Sequence, residues 1–277
     1  MSTVAILGAG PIGAAAAARL AERARVREVR LVDAAAAVAA GKALDIRQAG
    51  PVLNFNTLVS AESDVLSAAG ASVIVLADAI DGGEWNGDRG RAVLEQIVRA
   101  GSQAPIVFAG PEQAALMEIA YRELRIAAHR LVGSAPTALV SAVRALAGME
   151  MNVASVDLTV VGRPPSFVIG WSAAASGGSL VTERVAAHRL LAISASMKRL
   201  WPSGPYAIGS ATADIVEGLV HGRRRAISAL TILDGQLGAR GAAVLLPLDL
   251  GRLRVLGHAL PSLSPQERTE LVNAIGG

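Results

Sequence analysis

The chain has 277 residues, with Lys plus Arg at 26, Asp plus Glu at 23 and a formal net charge of +3. That near balance argues against nucleic acid as a partner, and the absence of cysteine excludes disulfides, thiolate nucleophiles and thiolate metal sites, so no metal centre is expected. Hydrophobic residues make up 52% and charged residues only 18%, enough apolar surface for two domains and for a subunit interface in a homo-oligomer.

In chain order, Thr3 to Leu7 reads as a buried strand, Pro11 to Arg23 as a helix and Val29 to Val32 as a second strand ending at Asp33. Val38 to Gln48 is helical by pattern, Phe55 to Val59 a third strand and Ser72 to Ala77 a fourth. A helix over Gly90 to Ala100, a strand over Pro105 to Ala109, a helix over Glu112 to Arg125 and a short strand at Leu131-Val132 complete the first half. Continuous apolar strands alternating with helices predict a parallel sheet covered on both faces, an α/β fold of Rossmann type. The alanine runs 14–18 and 34–37 read as helix filler.

The pattern changes after Gly133, so residues 1–133 are expected to form one domain and 134–277 a second, α+β domain. There, Thr137 to Ala147 is helical. Val156 to Gly162 and Phe167 to Ser172 read as paired strands joined by Arg163-Pro164-Pro165. Helices follow near Glu183 to Leu200 and Ser210 to His221, then an antiparallel meander over Ala226 to Leu233, Ala242 to Leu248 and Leu253 to Leu256. Ser264-Pro265-Gln266-Glu267 opens the last helix with a capping box. The longest uncharged run, Pro164 to Thr182, is interrupted by Pro164-Pro165 and Gly177-Gly178, which argues against a membrane span. No basic segment precedes the first strand, so no signal peptide is read and a cytoplasmic location is expected.

Gly8-Ala9-Gly10-Pro11-Ile12-Gly13 is a GxGxxG between a strand and a helix, and Asp33 ends the next strand twenty residues after Gly13. In that context the spacing points to a dinucleotide: Gly8 for the tight turn, Gly10 for close approach to a pyrophosphate, Gly13 for helix–strand packing. The helix N-terminus offers unpaired N–H groups to the phosphates. Asp33 is placed to accept from both ribose hydroxyls and to repel a 2′-phosphate, which favours NAD over NADP. The bland alternative is a glycine-rich turn that binds nothing, with Asp33 a surface carboxylate.

These features, together with Gly41-Lys42-Ala43-Leu44-Asp45-Ile46, Val73-Ile74-Val75 ahead of a glycine-rich loop, Val132-Gly133 and the segment from Pro247 to Gly251, resemble the lactate/malate dehydrogenase family over nearly the whole chain. The resemblance implies a Rossmann domain, an α+β substrate domain, a dimer or tetramer, and oxidation of 2-hydroxy acids with NAD. The expected cofactor-binding set is Gly8, Gly10, Pro11, Ile12, Gly13, Asp33 and Ala77.

The family's catalytic positions, carried across one at a time, all depart from its pattern. An ungapped match from Ala77 to Ile97 puts Asp81 where the substrate-selecting arginine belongs and Gly87 where the carbonyl-polarising arginine belongs. The Asn-Pro after the fifth strand becomes Gly110-Pro111. The histidine-orienting aspartate falls on Leu139, the carboxylate-gripping arginine on Ala142, and the Gly-His-Gly on Arg163-Pro164-Pro165. No catalytic residue is therefore assigned. The expectation is a degenerate member that binds NAD(H) without 2-hydroxy acid dehydrogenase activity; the alternative is an active NAD-dependent oxidoreductase acting on CH–OH groups with rearranged chemistry.

The remaining candidates each have a bland reading beside the functional one. His129, His188, His221 and His258 read as surface or structural histidines rather than a relocated base. Glu217 and His221 read as a solvated pair on one helix face. Arg89, Arg144 and the run Arg223-Arg224-Arg225 read as surface charge, and Arg163 as a weak candidate for an anion. Trp85, in a loop rich in glycine (82, 83, 87, 90), is either a lid over the cofactor or a ring tucked against the neighbouring helix, the second being favoured.

Overall fold

A computed structural model of the chain describes residues 2–81 and 83–276. The first half runs β1 (Thr3–Leu7), α1 (Pro11–Arg23), β2 (Glu28–Val32), α2 (Ala36–Leu53), β3 (Leu58–Glu62), β4 (Val73–Leu76), β5 (Asp78–Ala79), β6 (Gly83–Glu84), α3 (Gly87–Arg99), β7 (Ile106–Phe108), α4 (Ala114–Arg122) and β8 (Leu131–Gly133). The second runs α5 (Ala135–Met151), β9 (Val160–Arg163), β10 (Ser166–Ile169), β11 (Ala175–Ser176), β12 (Ser179–Leu180), α6 (Val181–Arg184), α7 (Ala187–Leu200), α8 (Pro205–His221), β13 (Ile227–Asp234), β14 (Arg240–Gly251), β15 (Arg254–His258) and α9 (Pro265–Gly276).

Strands β1 and β4 are buried on both faces, as their unbroken apolar sequences require. Period-two alternation splits β1 between two cores: Val4 and Ile6 belong to the core that includes α1, α2 and α8, whereas Ala5 and Leu7 belong to the core that includes α3 and α4. The parallel strands lie in the order β3-β2-β1-β4-β7-β8, a doubly wound arrangement. Its direction of winding reverses between β1 and β4, so the ligand crevice of such a sheet lies outside Leu7 and Leu76.

The sheet does not stop at β8. Leu230 of β13 pairs with Gly133 antiparallel, and β14, β9 and β10 continue outward, with β15 beside β14, giving eleven strands in one sheet. A Cβ on Gly133 would stand 2.7 Å from the Leu230 Cβ, so the junction between the halves depends on that glycine. The mixed sheet agrees with the expected fold class, a Rossmann half followed by α+β elements. Helix α8 reaches back onto α1: a Cβ on Gly209 would lie 2.6 Å from the Ala15 Cβ. The alanine run 14–18 is therefore more than helix filler, because its small side chains admit a second helix at close range.

Several boundaries differ from expectation. Helix α2 continues through Pro51 to Leu53, and Asn54 caps it in the left-handed region. The Phe55 N–H closes on the Gly50 carbonyl, which delays β3 to Leu58. The segment read as a strand from Val156 splits: Asp157 bridges to Ala175, and β9 begins only at Val160. The strand read as reaching Ser172 ends at Ile169, and Trp171 opens a short 3-10 turn. The helix read over Glu183 to Leu200 is two helices, because Val185 is extended. The capping box is as predicted: the Ser264 N–H donates to Glu267 at 2.8 Å, and the Glu267 N–H donates to Ser264 Oγ at 3.3 Å.

Candidate functional site

The glycine loop leaves β1 with Gly8 at φ +104°, a left-handed conformation suited to glycine. Its three glycines are each required by an internal neighbour. A Cβ on Gly13 would lie 2.0 Å from the Gly8 carbonyl oxygen, one on Gly8 2.4 Å from the Asp78 carbonyl oxygen, and one on Gly10 2.6 Å from Asp78 Cγ. The Gly10 N–H donates to the Asp78 carbonyl at 2.7 Å.

The Asp78 side chain, 7% exposed, sits over the first turn of α1. Its Oδ1 accepts from the Gly13 N–H at 2.9 Å and its Oδ2 from the Ile12 N–H at 3.2 Å. A carboxylate on these two donors satisfies amides that have no partner within the helix and meets the positive end of its dipole. Pro11, exposed, is the first helical residue and supplies no N–H.

Asp33 stands at the end of β2 as expected, but it is 2% exposed. Its Oδ2 accepts from the Ala9 N–H at 2.9 Å and the Ile80 N–H at 3.0 Å, and its Oδ1 from the Ala35 N–H at 3.0 Å. Lys42, from the motif at 41–46, donates to the Ala9 carbonyl. Ala77 is fully buried: its N–H donates to Leu7 and its carbonyl accepts from Gln113 Nε2 at 3.1 Å. Gln113 also accepts from the Gly110 N–H at 2.9 Å, so it ties together the chain ends leaving β4 and β7.

The β5–β6 hairpin covers this floor. Trp85, 9% exposed, donates through Nε1 to the Leu7 carbonyl at 2.9 Å, and Arg89 stacks on its ring at 4.4 Å. Of the two readings of Trp85, a lid over the cofactor has no support. The ring is tucked in, but beneath the crevice rather than only against a helix. Glu84 accepts from the Glu112 N–H at 2.9 Å and lies where a Cβ on Gly110 would clash at 2.1 Å. Burial, then the nearby Glu112 and Asp78 carboxylates, push its carboxyl up to about 7 against the opposing pull of the Glu112 N–H.

The positions aligned with catalytic groups are dispersed among other duties. Leu139 is fully buried in the core. Asp81 is exposed, with a carboxylate oxygen 4.0 Å from Arg89, and Gly87 opens α3. Arg163 pairs with Glu118 at 3.0 Å, and Glu118, 8% exposed, also accepts from the Ala243 N–H. Arg163 is thus engaged by an internal anion. Arg144 does not lie on a solvated surface: its guanidinium donates to the Leu158 carbonyl at 2.9 Å, and burial lowers its pKa. Glu217 and His221 do not pair with each other; Glu217 meets Arg23 at 3.3 Å and His221 meets the Arg25 carbonyl at 2.8 Å. In the basic run, Arg223 pairs with Asp214 at 2.8 Å. Sequence reasoning missed Asp78, Glu84 and Gln113; the only signal was a carboxylate immediately after an apolar strand.

Comparison with known proteins places these observations. Residues 2–84 match the family described as lactate/malate dehydrogenase, NAD binding domain. The chain is 24% identical to the malate dehydrogenase of Chlorobium phaeobacteroides over 95% of its own length and 92% of that protein's. It is 27% identical to the malate dehydrogenase of Thermomicrobium roseum over 97% and 93%. Its fold superposes on the malate dehydrogenase structure from Salinibacter ruber with a TM-score of 0.88, at 23% identity, covering 99% of this chain and 94% of that one.

A dinucleotide does not fit the site in the conformation described. The diphosphate of such a cofactor takes N–H groups at the start of the first helix, and here Asp78 holds those of Ile12 and Gly13. Asp33, the acid expected to receive ribose hydroxyls, already accepts from three backbone amides.

Proposed function

We propose that the chain is a member of the lactate/malate dehydrogenase family with NAD as its cofactor, and that it holds or senses NAD(H) without oxidising 2-hydroxy acids. That oxidation needs a base for the hydroxyl proton, a cation for the carboxylate and donors for the carbonyl oxygen. The observation that carries the reading is the set of acids at the crevice: Asp33 and Asp78 line it. On the resemblance, Leu139, Ala142 and Pro164 fall where the family's acid, arginine and histidine are expected. The four histidines lie in other elements: His129 before β8, His188 on α7, His221 ending α8 and His258 on β15. A dicarboxylate approaching this site meets like charge.

The test is NADH production at 340 nm from malate, lactate and other 2-hydroxy acids. The expected result is no turnover above buffer at any enzyme concentration that permits detection; robust malate oxidation overturns the reading. One observation favours the alternative, an oxidoreductase with rearranged chemistry acting on a less acidic alcohol. Glu84, with its carboxyl near 7, is poised as a base. An alcohol screen that finds NADH production abolished in Glu84→Gln would establish it.

A homo-oligomer is part of the proposal. Leu53 and Tyr206, 51% and 86% exposed, line a groove between α1, α2 and α8 that also carries Arg19, Glu22 and Asp45, a surface suited to a second copy. Sedimentation velocity would give the stoichiometry. Among the described residues no helix is long and apolar enough to cross a membrane; location in the cytoplasm is likewise proposed.

A further inference from the structure

Resting on the reading that the chain binds NAD(H), we infer that the Asp78 carboxylate is an internal occupant of the diphosphate cradle, and that the cofactor enters only by displacing the hairpin that carries it. A carboxylate and a phosphate oxygen compete for the same donors at a helix N-terminus. Asp78 satisfies both that the first turn presents, at 2.9 and 3.2 Å, from a position 7% exposed.

The occupant is held by more than its own side chain. The Asp78 carbonyl takes the Gly10 N–H, Glu84 on the facing strand takes the Glu112 N–H, and Trp85 reaches the Leu7 carbonyl. The Ile80 N–H, in the same segment, accounts for one of the amides on Asp33. The diphosphate contacts and part of the acid expected to meet the ribose are thus closed by residues 78–80, 84 and 85. This stretch also has places to bend. Gly83, and Gly87 just beyond it, have φ of +66° and +49°, and apart from the adjoining chain no atom of the described residues lies within 4 Å of the Cβ position of either. Opening it removes an anion from the cradle and takes one of two amide donors off Asp33 Oδ2, leaving that of Ala9, in a single movement.

The glycine motif takes on a second meaning. Gly10 is required by the Asp78 carboxyl and Gly8 by the Asp78 carbonyl, so the loop fits its own plug as closely as it would fit a phosphate.

The experiment titrates NADH, by its fluorescence, against the wild-type chain, Asp78→Gly and the isosteric Asp78→Asn, and follows amide hydrogen exchange over residues 8–14 and 78–87 with and without NADH. The expected result is at least tenfold tighter binding by Asp78→Gly, with Asp78→Asn in between. In the wild-type chain, saturating NADH should slow exchange at Ile12 and Gly13 and speed it over 83–87. Equal binding by wild type and both variants, with the hairpin's exchange unchanged, overturns the inference and leaves the NAD(H) reading standing. Binding by the variants alone supports the inference and removes NAD(H) as a ligand of the wild-type chain. No binding by any of the three at millimolar NADH overturns both. If Asp78→Gly fails to fold, Asp78→Asn decides: a gain of threefold or more supports the plug, and no gain overturns it.

Discussion

The glycine loop at residues 8–13 and the proline turn at 163–165 invite opposite readings from their residue types, yet the fold closes both in the same way. At the loop, family-like glycines surround a carboxylate supplied by Asp78. At the turn, where the family has a histidine, Arg163 is neutralised by Glu118 from α4. In each place a group that would meet a ligand meets a side chain of the same molecule instead. A retained glycine is therefore weak testimony for a retained ligand, because the steric demand that keeps it can come from within the chain.

The sharpest way to break this comparison is to put a family residue back. Leu139→Asp puts an acid on α5 where the resemblance implies a histidine-orienting aspartate. Leu139 is fully buried among apolar neighbours, so the new carboxylate has no partner, and urea denaturation should show a loss of about 4 kcal/mol. A loss below about 1 kcal/mol would mean the pocket is wet enough to host the acid, and the turn would no longer count as closed. The loop side is tested next by Gly10→Ala. Its Cβ would meet Asp78 Cγ and Oδ2 at 2.6 Å, for a loss of about 3 kcal/mol. In the Asp78→Gly background the carboxyl contact is gone and the backbone contact remains, so the double-mutant cycle should return a coupling of about 1 kcal/mol. Additive losses would show that the glycine is not held by the plug.

How much of this the sequence discloses depends on the range of the interactions. The strands β1 and β4 are readable because a parallel strand buried on both faces must be apolar throughout, and helix α1 because Pro11 opens it after a glycine turn. Asp33 is legible at the end of β2 for the same local reason. The third strand begins later than its residues suggest because Phe55 and Thr57 have strand-forming side chains, while a backbone bond from Phe55 to Gly50 keeps the chain in the helix cap. The junction of the two halves into one sheet rests on a pairing between residues 133 and 230, which no local pattern announces. The plug is hidden for that reason as well: Asp78 meets amides 65 and 66 residues earlier in the chain. Trp85 and Gln113 likewise act on backbone atoms of distant strands.

A smaller effect is expected at the turn. Glu118 is 8% exposed and serves Arg163, Arg122 and the Ala243 N–H together. Glu118→Gln keeps an acceptor but leaves Arg163 without its charge partner, for a loss of about 2 kcal/mol in thermal or urea unfolding. Arg163→Met should cost more than Glu118→Gln, since it leaves the carboxylate of Glu118, the more buried of the two partners, with only Arg122 at 3.8 Å. The reverse order would mean that Glu118 is held chiefly by its other contacts and that Arg163 does not close the turn.

The smallest effect, and the one that links the plug to its surroundings, is a pH dependence at Glu84. Unfolded, this carboxyl ionises near its ordinary 4.5; folded, it holds its proton to about 7. Between those values the unfolded chain releases a proton that the folded chain retains. The contribution to stability is therefore complete below 4.5, falls as pH rises towards 7, and is constant above it. With allowance for solvent screening at a partly exposed group, the change is about 1 kcal/mol. The difference in unfolding free energy between wild type and Glu84→Gln, measured from pH 4 to 8.5, isolates it from every other titration. Burial is the chief cause of the high value and the Asp78 charge a lesser one. In an Asp78→Asn background the midpoint of the difference curve should accordingly move down in pH without returning to 4.5. A midpoint that stays at about 7 would mean that Asp78 and Glu84 do not share the crevice electrostatically, and that the hairpin is held there by packing and hydrogen bonds alone.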